Sequence, residues 1–284
     1  MSYLLALCAA ALYGAADFAG GLSTRRAGTT QVVVASQACG LVLLALALLV
    51  LPAASPTRAD LLWGVVAGLT GGIGVGLLYR GLAIGTMAVV APTTAVCAVV
   101  IPVVASFALG ERPAPLALAG IALGVVSIIL ISRPRTTTDA ERGRADAAVI
   151  GTALASGVAI GCFLLALART RPEAGMWPLL VSRTVSVSLF IAIAIGTKQS
   201  LRMPAPVFRL ALVAGVGDIV ANALYLLAAR MGPLSGVVTL SALYPASTVL
   251  LARVVLGERL APWQIAGVVA ALIAIVMIVG HGAT

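Results

Sequence analysis

Leu109-Gly110-Glu111-Arg112-Pro113-Ala114-Pro115 and Leu256-Gly257-Glu258-Arg259-Leu260-Ala261-Pro262 are two copies of one turn, 147 residues apart. The same offset lays Ala119-Gly120 on Ala266-Gly267, Ala27-Gly28 on Ala174-Gly175, Ala67-Gly68 on Ala214-Gly215, and Gly85 on Gly232. One ungapped register, running from the first apolar region to the last, marks a tandem duplication. What is duplicated follows from composition.

Hydrophobic residues fill 61% of the 284 positions and charged residues only 10%, with a mean hydropathy of +1.14. A soluble domain carries about a quarter charged residues. The surrounding solvent is therefore lipid. The first apolar stretch, 3–21, lacks the basic start and polar cleavage region of a secretory signal, so it reads as the first span. The net charge of +9 sits mostly at span ends, as in Arg25-Arg26, residues 133–144, and Arg169 with Arg171. That placement fits phospholipid headgroups, and no polar domain exists to bind nucleic acid. Cys8, Cys39, Cys97 and Cys162 stand singly in apolar runs, and the one histidine, His281, is in the tail. No metal site or cofactor is expected from such spacing.

A helical span needs about 20 apolar residues. Ten candidates result: 3–21, 30–51, 60–80, 86–108, 115–132, 147–168, 176–196, 207–229, 233–255 and 262–280. The chain thus reads as all-α and integral to the membrane. A first five-helix repeat covers 1–132, a polar linker 133–146, and a second repeat 147–284. Five crossings are odd, so the second repeat enters the bilayer from the opposite face. The halves form an inverted repeat, the architecture that makes alternating access easy. Counting Lys and Arg places the heavier basic load on the face opposite both termini, which on the positive-inside rule puts the termini outside.

Six side chains are candidates for contact with a small molecule. A carboxylate facing lipid near the bilayer centre costs about 2.5–3.5 kcal/mol, so Asp17 in the first span and Asp218 in the eighth should face the interior. Each could bind a substrate amine or exchange a proton, and a structural ion pair is the competing role. Tyr13 shares a helix face with Asp17, and Asn222 with Asp218. Pro92-Thr93-Thr94 in the fourth span and Ser241-Ala242-Leu243-Tyr244-Pro245 in the ninth fall in matching regions, and proline interruptions in both halves point to a midplane site. Thr93 and Tyr244 join the set on that ground. Arg80 and Arg183 are candidates for an acid partner or a substrate carboxylate, with snorkelling the competing role for Arg80. Glu111 and Glu258, just before helices, read as caps. The glycine run Gly68, Gly71, Gly72, Gly74 and Gly76 reads either as close helix packing or as a thinned helix beside a substrate path.

The repeated Leu-Gly-Glu-Arg turn, each followed by a glycine-containing last helix, with ten spans in two halves, resembles the EamA-type members of the drug/metabolite transporter superfamily. Arg183 resembles an arginine often found early in the second helix of such a repeat. Its counterpart here in the first half is Ser36. The resemblance implies a secondary transporter, commonly an exporter of amino acids and other small metabolites, with both termini cytoplasmic. It implies a cavity lined by the first, third, fourth, sixth, eighth and ninth helices. The expectation is a multi-pass exporter of small, amino-acid-like polar or amphipathic metabolites in a bacterial-type inner (plasma) membrane, with protons as a candidate coupling partner. An uncoupled facilitator is the near alternative. An intramembrane enzyme would need paired acids, a metal cluster or a nucleophile–base set, none of which the sequence offers. A non-transporting scaffold would be expected to lack a polar interior path.

Overall fold

With no water inside a bilayer, backbone N–H and C=O groups must pair within their own segment, and apolar runs of this length do so as helices. The computed structural model describes residues 1–51, 54–108, 115–132, 140–231 and 240–279, and among these there is no strand. Ten α-helices are described: α1 Ser2–Thr24, α2 Thr29–Leu48, α3 Arg58–Ile84, α4 Met87–Ala108, α5 Pro115–Ser132, α6 Ala140–Ala168, α7 Trp177–Gly196, α8 Ala205–Met231, α9 Pro245–Leu256 and α10 Pro262–Val279. Six (α1, α2, α3, α6, α7 and α8) are long and apolar enough to cross a membrane, and the other four hold shorter apolar stretches. The first Leu-Gly-Glu-Arg turn, residues 233–239 of the ninth candidate span and His281 lie outside the described residues.

Two boundaries differ from the hydropathy reading. Helix α6 begins at Ala140, inside the stretch read as linker, because Ala140, Glu141 and Arg142 are good helix formers that hydropathy ignores. The ninth span is broken: Ala242–Tyr244 form a turn, and α9 starts at Pro245. Proline cannot donate the next helical bond, so it serves as the first residue of a new helix. Helix α4 runs without a break through Pro92, so the interruption occurs in one half only.

The packing obeys the duplication. Helix α1 lies on α8, and the repeat-related α6 lies on α3; α2 packs on α8 as α7 packs on α3; α4 meets α6 as α9 meets α1; α5 packs on α10. Lipid offers no hydrophobic drive between helices, so close van der Waals fit must hold them. Glycines supply it. A Cβ on Gly68 would stand 2.6 Å from the Ser182 carbonyl oxygen, and one on Gly14 would stand 2.4 Å from that of Tyr244. The α3 glycine run is thus close packing within a continuous helix, against α7 on one side and α6 on the other.

Towards the end of the bundle where α1 and α3 finish and α4 begins lies a buried cluster that includes Phe18, Val33, Tyr79, Leu82 and Met87. Above it, Arg25 donates to the carbonyls of Leu82 (3.3 Å) and Gly85 (3.0 Å) and pairs with Glu258 at 3.2 Å. Glu258 also accepts from the backbone N–H groups of Met87 and Ala88, both at 3.1 Å. It caps a helix, as expected, but the helix is α4 of the other repeat, reached because the α9–α10 turn folds over it. The first turn of α10 is served instead by Gln264, whose side chain accepts from Ala261 N–H at 3.0 Å.

Candidate substrate cavity

The sites of interest sit where the two halves meet. A cavity of about 190 Å³ lies between the repeats, lined from α1, α2, α3, α4, α6, α7 and α8 and from the turn before α9. It is smaller than the 300–1,000 Å³ of drug-sized pockets. Five of the six candidate contact residues line it: Tyr13, Asp17, Asp218, Asn222 and Tyr244. Thr93 does not. It is fully buried in α4, and its hydroxyl donates to the Val89 carbonyl at 2.9 Å. Arg183 also lines the cavity, whereas Arg80 is exposed and stands outside the lining.

Arg183 is committed to its neighbours. One guanidinium nitrogen pairs with Asp218 of α8 and another donates to the Gln37 side-chain oxygen of α2. Its side chain is 8% exposed and that of Asp218 is 21% exposed, so the pair is largely shielded. A buried pair of this kind stands only if the charges compensate each other and remaining donors are satisfied. Gln37 meets the second condition in part, since Arg183 Nε has no partner among the described residues. Asn222 donates to the Asp218 carbonyl at 2.7 Å, one turn back on its own helix.

Asp17 is the contrasting acid. No hydrogen bond or ion pair holds it among the described residues, although it lines the same cavity as Asp218. Its surroundings hold four tyrosines: Tyr13 one turn earlier, Tyr79 of α3, Tyr225 of α8 and Tyr244 before α9. Tyr13 and Tyr244 meet edge to face, with centroids 6.4 Å apart and planes at 64°, joining the repeats across the cavity. Close by, Ser247 and Thr248 of α9 donate to the α1 carbonyls of Ala10 and Gly14 at 3.2 and 3.1 Å.

Sequence reasoning missed Gln37 and Ser186, which both line the cavity, as does Tyr225, one turn past Asn222. Gln37 adjoins Ser36, the repeat counterpart of Arg183, and Ser186 lies one turn past Arg183 on the same helix face. Those two neighbourhoods were the available signals. The cavity also takes lining from α2 and α7, beyond the helices the family resemblance implied. Among the described residues no cluster of histidine, cysteine and acidic side chains could hold a metal ion.

The model of the EamA-like transporter family matches residues 1–133 and 143–280, one match for each half. No curated protein matches the chain significantly. A solved crystal structure of a protein 19% identical in sequence superposes with a TM-score of 0.59, over 98% of this chain and 96% of that one. That likeness concerns the fold.

Proposed function

The chain belongs to the EamA-like transporter family, and from that premise we propose that it is a secondary active exporter of small amphipathic metabolites, working by alternating access and coupled to protons through Asp17. The family is one of membrane transporters that act on small molecules, so the open questions are substrate, direction and coupling. One observation carries the reading: an unpaired carboxylate sits in an inter-repeat cavity beside an acid already neutralised by arginine. An intramembrane acid without a partner is a functional site by default. Asp218 is occupied with Arg183, so Asp17 is the acid free to exchange a proton or a substrate cation.

Exchange of substrate for protons requires that either ligand, not both, occupy Asp17 during a half-cycle. Substrate bound from one side displaces the proton, and a proton from the other side displaces substrate. The pseudo-twofold relation supplies the second conformation, in which the two halves exchange roles and access passes to the other face. Export rather than import is the direction that fits other members of the family.

The test is growth protection in an exporter-deficient bacterial host challenged with amino acids, dipeptides, nucleobases and cationic dyes. Wild-type protein is expected to protect against one class, and Asp17→Asn to abolish protection at equal membrane levels. Protection retained by the Asp17→Asn/Asp218→Asn double variant contradicts coupling and leaves an uncoupled facilitator.

A further inference from the structure

The α1/α8 and α3/α6 walls of the cavity are related by the 147-residue offset, yet they are chemically opposite. Tyr13 and Asp17 of α1 correspond to Ile160 and Leu164 of α6, and all four line the cavity. Asp218, Asn222 and Tyr225 of α8 correspond to Gly71, Val75 and Leu78 of α3, again all in the lining. Because α1 packs on α8 and α6 on α3, each pair forms a wall, and the pseudo-twofold exchanges the walls. Every described lining residue from α3, α4 and α6 is apolar or glycine, while α1, α2, α7 and α8 contribute only polar ones.

Charge narrows the choice further. Among the described lining residues the carboxylic acids are Asp17 and Asp218, and the one cation is Arg183, which Asp218 and Gln37 already hold. With all three ionised the site carries one uncompensated negative charge, at Asp17. A carboxylate entering this cavity would meet a cation whose charge Asp218 already offsets and would lie near two acids. Three buried donors on lining residues lack a partner among the described residues: Arg183 Nε, Ser186 Oγ and Ser241 Oγ. They suit a neutral acceptor such as an amide or ester carbonyl.

We infer that the cavity takes an amphipathic monocationic amine with no free carboxylate, its ammonium against Asp17 and its short apolar body against α3, α4 and α6. The inference rests on the transporter reading and narrows its substrate class. It places amino-acid amides, esters and decarboxylated amines ahead of amino acids themselves. Exchange of one such cation for one proton at Asp17 moves no net charge.

Calorimetry on the full-length protein in detergent micelles tests this, using isopentylamine, leucinamide, leucine and 4-methylpentanoate as probes of similar apolar size. Isopentylamine and leucinamide are expected to bind at least ten-fold more tightly than leucine, and 4-methylpentanoate not at all. Asp17→Asn should weaken both amines at least ten-fold while its thermal unfolding midpoint stays near wild type. A second variant, Leu164→Asp, copies the acid onto the apolar wall. It should weaken isopentylamine and create binding of 1,5-diaminopentane that wild type lacks. Leucine binding as tightly as leucinamide, or no binding by any amine, overturns the inference. In the first case the transporter reading survives, since it is judged separately by flux across a membrane.

Discussion

Removing Arg183 would leave Asp218 charged and without a partner in a site shielded from water. Breaking one side of a buried pair costs about 3 kcal/mol. Arg183→Ala is therefore expected to lower the thermal midpoint in detergent sharply, whereas Arg183→Met with Asp218→Leu should lower it much less, because no orphan charge remains. Equal losses in the two would show that packing, not charge, is what Arg183 provides. Asp17 behaves otherwise: it has no described partner, so Asp17→Asn should leave stability nearly unchanged and act on ligand or proton. Both acids were legible in the sequence, because a carboxylate within an apolar span has few uses. Their difference was not. Whether an acid is paired depends on which helix lands opposite, and the separation of 35 positions from Arg183 to Asp218 carries no periodic signal of that contact. Gln37 escaped notice because an uncharged amide in a span costs too little to stand out.

At the scale of helices, close approach and the cross-repeat cap make separate claims. Gly68 lies against the α7 backbone, so Gly68→Val forces α3 and α7 apart and should cost on the order of 2 kcal/mol. A Cβ added to Gly151 on α6 would meet nothing within 4 Å, so Gly151→Ala should be neutral or stabilising by up to about 1 kcal/mol. Thermal melts of the two variants side by side check the contrast. Glu258→Ala removes the acceptor for the first N–H groups of α4 and the partner of Arg25. A lost cap costs about 1 kcal/mol. Hydrogen exchange should quicken at Met87 and Ala88 while the α10 start, served by Gln264, stays protected. Faster exchange at α10 instead would mean that Glu258 caps its own helix. Helix number and order were readable from hydropathy and breakers. The break at Ala242–Tyr244 was flagged by Pro245, but Pro92 within α4 produced none, since a proline inside a span only permits a break and neighbours decide it.

For the whole molecule, the duplication gives two walls that trade places under the pseudo-twofold, and divergence has put polar groups on one of them. The offset of 147 residues was plain in the sequence, and so were the mismatches Asp17 with Leu164 and Asp218 with Gly71. What the sequence withheld was that these mismatches face one another across a single cavity. On the proposal made above, the same asymmetry ties the substrate step to Asp17, and flux across a bilayer is its direct test. Purified protein in liposomes with an imposed pH gradient would be offered radiolabelled leucine, leucinamide and isopentyltrimethylammonium, each measured against protein-free liposomes. The account predicts that at least one probe moves faster than in the protein-free control, that collapsing the gradient removes the advantage, and that Asp17→Asn does the same. Carriage that ignores both the gradient and Asp17, or no carriage of any probe, would contradict it.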